Sequence, residues 1–146
     1  AAERHGFIAR ADDPRRHISA CSGAPACAAA RMPTRSQGAA LALAAGPMLD
    51  GSLRIHLSGC AKGCAHPGPS ALALVGVDGG CGVVVAGSAH AEPLGYVACE
   101  SLEPRLERLS RWVLAAREPG EDSAAVLKRF GVGGVAHALG VPRKSA

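Results

Sequence analysis

Apolar and polar positions change period along this chain, and the changes mark its elements. Between Leu53 and Leu57 (LRIHL) the two classes alternate, the period-two signature of a strand with one buried face. Ala71 to Val77 (ALALVGV) and Gly82 to Ala86 (GVVVA) flank Asp78-Gly79-Gly80-Cys81 and predict a hairpin with a short Gly-containing loop. A third strand is expected over Leu94 to Ala98. Then the period lengthens: Leu102, Leu106, Leu109, Val113 and Ala116 recur at helical spacing, with Arg and Glu between them and a stop at Pro119-Gly120. We read this stripe, Trp112 included, as core. Further helical stretches are expected over Asp122 to Phe130 and near Val135 to Leu139. Between them, Gly131-Val132-Gly133-Gly134 reads as a helix-terminating turn, because no strand precedes it as a phosphate loop requires. The last residues, VPRKSA, read as a loose or continuing end.

Upstream, GFIA and HISA lie on either side of ADDPRR, so His5 to Ala20 reads as two short extended pieces joined by a loop at Asp12 to Arg16. A helix is predicted from Thr34, where Thr34 and Gln37 have the T-x-x-Q spacing of a capping box, to a stop at Gly46-Pro47. The elements sum to one α+β domain over residues 1–146, with a mixed, mostly antiparallel sheet packed by helices and a helical segment at 101–140.

Composition sharpens this picture. Aromatics make up 3% of the chain against 19 Gly and 10 Pro, so the core must be built from Leu, Val, Ile and Ala and is thin. A bound metal centre or a partner domain would help to hold such a core together. The sequence opens AAERHGFIAR without an initiator Met, which suggests a cut inside a longer protein whose N-terminal half is missing. A net charge of +4, with Arg scattered among acidic residues, argues against nucleic acid as a partner. No apolar stretch has the length of a membrane span and no secretory leader opens the chain, so the expected location is the cytoplasm. There, six cysteines favour metal over disulfides.

Four of the six form two pairs. Cys21 and Cys27 stand as C-x5-C in ISACSGAPACAAAR, and Cys60 and Cys64 as C-x3-C in HLSGCAKGCAHPGP, with the predicted helix and a strand between the pairs. A [4Fe-4S] cube needs one thiolate per iron, which two loops brought together can supply, and neither spacing matches the C-x2-C knuckle of zinc sites. Gly23, Gly59 and Gly63 would let backbone N–H groups reach the sulfurs, and Ala20, Ala24, Ala26, Ala61 and Ala65 would leave room. A zinc-binding or disulfide-stapled structural module is the alternative from another class. Cys81, in the hairpin loop, and Cys99, at a strand end, read as incidental thiols. His66 reads as a solvent or backbone hydrogen-bonder rather than a ligand, and His56 as the polar face of its strand.

The wording SGCAKGCAHPGP resembles the second cysteine motif of the nitrite and sulfite reductase family, T/S-G-C-x-x-G-C followed shortly by Pro, and ACSGAPAC resembles its first. Within that family the two motifs are most similar to the precorrin-3B synthases, over roughly Gly6 to Ala98. The resemblance implies a sulfite-reductase-type iron-sulfur domain in which Cys21, Cys27, Cys60 and Cys64 ligate a [4Fe-4S] cluster. Cys64 matches the ligand that bridges to the haem iron in sirohaem-containing relatives. It further implies a monooxygenase-type oxidoreductase of aerobic cobalamin biosynthesis. Such enzymes hydroxylate the tetrapyrrole precorrin-3A with O2 and close a lactone on it, using an NADH-linked electron donor and a non-haem iron beside the cluster. Arg31, Arg35 and Lys62 are then candidates for contacts to the substrate's carboxylates. The alternative within the family is a fragment of a sirohaem-dependent nitrite or sulfite reductase. The sequence departs from the pattern at Ser22, where family members often have Pro, and from Glu100 onward it matches no family motif. The N-terminal half that carries much of the family's tetrapyrrole pocket has no counterpart here.

Overall fold

Five short strands pair in chain order. In the computed structural model, which describes residues 1–142, β1 (Ile18–Ala20), β2 (Ile55–Ser58), β3 (Ser70–Val77), β4 (Gly80–Gly87) and β5 (Gly95–Val97) form one sheet of order β1-β2-β3-β4-β5. The pairs β1–β2 and β2–β3 are parallel, whereas β3–β4 and β4–β5 are antiparallel. The sheet is therefore mixed, as expected, but evenly divided rather than mostly antiparallel. The reason lies in the connections. Residues 21–54, which include α1 (Thr34–Ala45), and the loop 59–69 each carry the chain back across the sheet before the next strand begins. The loop bearing Cys60 and Cys64 is thus itself a crossover.

Alternation sorts the two faces of the sheet. Ile55, Leu57, Leu72, Leu74, Val83 and Val97 join one buried cluster with Leu41 of α1, with Leu106, Leu109 and Val113 of α2 (Leu102–Ala116), and with Val126 and Val135 of α3 (Ser123–Leu139). All three helices cover this face, and the predicted stripe of α2 is its centre, with Trp112 packed at the rim. The opposite face carries a small cluster of Ala73, Val75, Val84 and Ala89. By the same alternation His56 and Ser58 belong there.

Several expectations need correction. GFIA forms no strand: Phe7 and Ile8 are exposed outside the sheet, and only Ile18–Ala20 of the two expected pieces pairs. The Thr34 capping box does not form. Pro33 is the N-cap, and the Thr34 hydroxyl instead donates to the Cys21 carbonyl at 2.7 Å, a buried acceptor that competes for it. Cys81 lies inside β4 rather than in the hairpin loop, which is reduced to Asp78 and Gly79, with Gly79 at φ +79°. The two expected C-terminal helices are present, and Gly131 separates them as the expected helix-terminating turn, its φ of 64° and ψ of −175° being non-helical. Asp122 caps the start of α3 by accepting from the Ala125 N–H at 2.8 Å. Of VPRKSA, residues 143–146 lie outside the described residues.

Candidate metal centre

Because β1 and β2 are parallel neighbours, with Ala20 in register with Leu57, both cysteine loops leave the sheet at the same end. Cys21 follows β1 directly, and its N–H donates to the Leu57 carbonyl at 3.3 Å. In return the Gly59 N–H donates to Cys21 Sγ at 3.2 Å, and the Arg31 N–H donates to the Gly59 carbonyl at 2.6 Å. Cys27 is folded back by its N–H to the Gly23 carbonyl at 2.8 Å. The Ser58 hydroxyl holds the Cys60 carbonyl at 2.6 Å. These bonds join two loops distant in sequence into one body.

Three glycines permit the contact. A Cβ on Gly59 would stand 2.7 Å from Ala30 Cβ, and one on Gly76 would stand 2.5 Å from the Gly59 carbonyl oxygen and 2.8 Å from Met32 Cβ. Gly23, at φ +64°, has its Cβ position taken by the Thr34 hydroxyl. First loop, second loop and β3 therefore stack backbone against backbone, closer than any side chain would permit.

All six cysteines are free; Cys21, Cys27 and Cys60 are half-buried and Cys64 is exposed. Burial pushes the Cys21 thiol up, but the Gly59 N–H and the Gly23 backbone outweigh it and hold the thiol below its ordinary value. Cys81 behaves in the opposite way: burial, with Cys99 nearby, pushes it up to about 12, and Cys99 is raised by its own burial and by Glu100. The two thiols outside the loops are thus held toward the protonated form, and the one held below its ordinary value, Cys21, is in the loops. That contrast suits Cys21 as a thiolate ligand of a cationic centre. Among the described residues no three Cys, His, Asp or Glu side chains are gathered closely enough to hold a metal ion. Both loops leave the sheet at the same end, and the thiol side chains would have to turn toward a common centre to share a metal.

The expected substrate contacts are dispersed. Arg31 is engaged by Asp78 of the hairpin turn at 2.6 Å, while Arg35, in the first turn of α1, and Lys62, between Cys60 and Cys64, are exposed. His66 behaves as read: its Nε2 bonds the Pro69 carbonyl at 3.2 Å. His56 does not. It is fully buried, with both ring nitrogens unpartnered among the described residues, because the crossover loop returns over its face and sets the His66 ring edge-on at 5.8 Å. Desolvation, and the neighbouring His66, lower its pKa and favour the neutral imidazole. The missed signal was the apolar flanks of His56, since a parallel strand covered on both faces loses its polar side. Thr34 and Gly76 were also missed, because their partners lie far away in sequence.

Fold and site together define an α+β domain that presents four free thiols on two joined loops at one end of a mixed sheet. No family model matches the chain. A curated precorrin-3B synthase from Sinorhizobium sp is 43% identical over 138 residues, 94% of this chain. The likeness that the cysteine motifs suggested is therefore borne out, and it extends beyond Ala98 through the C-terminal helices. The chain spans 30% of the length of that relative. Among the described residues no helix is long and apolar enough to cross a membrane.

Proposed function

We propose that this chain is the [4Fe-4S]-bearing part of a precorrin-3B synthase, a sulfite-reductase-type domain in which Cys21, Cys27, Cys60 and Cys64 are the ligands. The observation that carries the reading is the joining of the two cysteine loops, with the Gly59 N–H of one donating to the Cys21 sulfur of the other. A bound cluster would supply one-electron transfer. Around it, the Gly59 N–H stabilises negative charge at Cys21 Sγ, the Thr34 hydroxyl fixes the Cys21 carbonyl, and the glycine stack fixes the distance between the loops. Arg35 and Lys62 are exposed beside the loops and offer cations to the carboxylates of a tetrapyrrole, while Arg31 can do so only by releasing Asp78. In this reading the whole enzyme acts in cobalamin biosynthesis. It hydroxylates precorrin-3A with O2 and closes a lactone on it, drawing on an NADH-linked donor and a non-haem iron.

Anaerobic expression, iron-sulfide reconstitution, and absorption with iron, sulfide and zinc analysis test the ligand assignment. The expected result is a broad band in the blue with about four iron and four sulfide per chain, lost in Cys64→Ser. A colourless protein containing zinc, or one with intact disulfides and no iron, would refute it.

A further inference from the structure

We infer that Asp78 is a specificity-determining residue beside the cysteine loops: it holds the Arg31 guanidinium as a stand-in for a ligand carboxylate and yields it to one acid arm of the substrate. The inference rests on the reading of the substrate as a tetrapyrrole polycarboxylate. Arg31 Nε donates to Asp78 Oδ1 at 2.6 Å, between residues 47 positions apart in sequence. Apart from this bond and a long one of 3.4 Å from Arg31 Nη1 to the Ala28 carbonyl, neither side chain has a hydrogen-bond partner among the described residues. The carboxylate is 90% exposed and the guanidinium 48%. So exposed a pair contributes little stability and is readily exchanged.

Neither backbone depends on the pair. Arg31 is fixed by its own N–H, which donates to the Gly59 carbonyl at 2.6 Å, and by Ala30, whose Cβ fills the place of a Gly59 side chain. Asp78 stands at the tip of the β3–β4 hairpin, closed by the pairing of Val77 with Gly80. The two side chains can therefore part while both cysteine loops stay in place. Asp78 also uses the guanidinium incompletely. One of its oxygens meets Nε, whereas a carboxylate free to approach takes Nε–H and Nη2–H together, the stronger fork-to-fork arrangement. Beside the pair opens a cleft of about 350 Å3 bordered by Arg31, Gln37, Gly79, Gly80, Cys99 and Glu100. It has room for a carboxymethyl or carboxyethyl arm and not for a macrocycle, and the Glu100 carboxylate disfavours a second anion in it. Asp78 thus selects: a ligand whose carboxylate can chelate Arg31 displaces it, and one without such an arm does not.

The test is a double-mutant cycle on the binding of uroporphyrin, a tetrapyrrole bearing acetate and propionate arms, to the full chain, followed by quenching of its fluorescence at fixed ionic strength. Asn suits a turn as well as Asp does, so Asp78→Asn keeps the hairpin, and Arg31→Gln keeps the backbone N–H that bonds Gly59. Asp78→Asn should bind about two- to fivefold tighter than wild type, the equilibrium cost of opening one exposed ion pair. That gain should vanish in the Arg31→Gln background. A gain that persists without Arg31 would be only the loss of one negative charge from the surface and would overturn the inference, as would no gain at all. A lowered urea midpoint for Asp78→Asn with unchanged binding would make the pair a structural clamp instead. If uroporphyrin binds none of the four forms, the inference and the tetrapyrrole reading fall together, whereas a failed iron-sulfide reconstitution counts against the cluster reading alone.

Discussion

Adding a single methyl group at Gly76 should separate the two cysteine loops from the sheet. An alanine Cβ there would meet the Gly59 carbonyl oxygen at 2.5 Å, Met32 Cβ at 2.8 Å and Met32 N at 3.0 Å. Ordinary contact is about 3.5–4.0 Å, so the overlap is about 1 Å, and two of the three atoms are backbone that cannot rotate aside. Overpacking of this kind costs about 1–3 kcal/mol. The lower entropy of the unfolded alanine chain offsets about 0.4–1 kcal/mol of it. A net loss of about 1–2 kcal/mol is expected, together with reduced iron uptake on reconstitution, since both displaced segments adjoin cysteines proposed as ligands. Gly38→Ala is the matched control. In α1 its Cβ would lie 3.8 Å from Leu57 Cδ1, ordinary contact, and removing an interior helix glycine stabilises by about 0.5–1 kcal/mol. Urea unfolding followed by circular dichroism should therefore move in opposite directions for the same chemical change. An unchanged midpoint and full iron content in Gly76→Ala would show that the loops do not rest on β3.

Two further predictions follow from hydrogen bonding. Burial would raise the Asp50 carboxyl, but it accepts from Ser52 N and Oγ at 3.0 and 2.6 Å, from Ser123 N at 2.8 Å and from Arg117 at 3.0 Å, and is held down to about 2. A depressed carboxyl stabilises above its unfolded value of 3.8 and loses that contribution as pH falls toward 2. Discounted for surface screening, Asp50→Asn should cost about 1 kcal/mol at neutral pH. That gap in urea stability should close between about pH 4 and 2, and a gap that does not change with pH would contradict the assignment. Thr34→Val leaves the buried Cys21 carbonyl without its donor and should cost about 1–3 kcal/mol in urea stability, while the Gly59 N–H still holds the Cys21 thiol down, so its alkylation at mildly alkaline pH, followed by mass spectrometry, should change little. A clearly slower alkylation would show that the Thr34 hydroxyl serves the sulfur rather than the carbonyl.

The features legible in the sequence are those with local causes. The β3–β4 hairpin follows from two apolar runs about a Gly-containing turn, and α2 from a leucine stripe of period 3.6. The cysteine spacings placed the four thiols on two loops. Strand direction was not legible, because period-two alternation is the same in parallel and antiparallel pairs. Reading 59–69 as a plain loop hid its role as a crossover, and with it the burial of His56. Thr34 had the right sequence for a cap, yet the Cys21 carbonyl, thirteen residues upstream, takes its hydroxyl. The tightness at Gly76 depends on two loops that meet only in the folded chain.

β1 has three residues and lies at the edge of the sheet, paired on one side only. So short an edge strand contributes little holding energy of its own, and a slip of one residue against β2 would carry Cys21 about 3.3 Å and turn it to the other face. Any ligand that bridges the two loops would therefore act as a register pin. Its binding energy would be spent in part on locking β1 at the one alignment in which Cys21 meets Gly59, and the docking of that strand would in turn set the apparent affinity for the ligand.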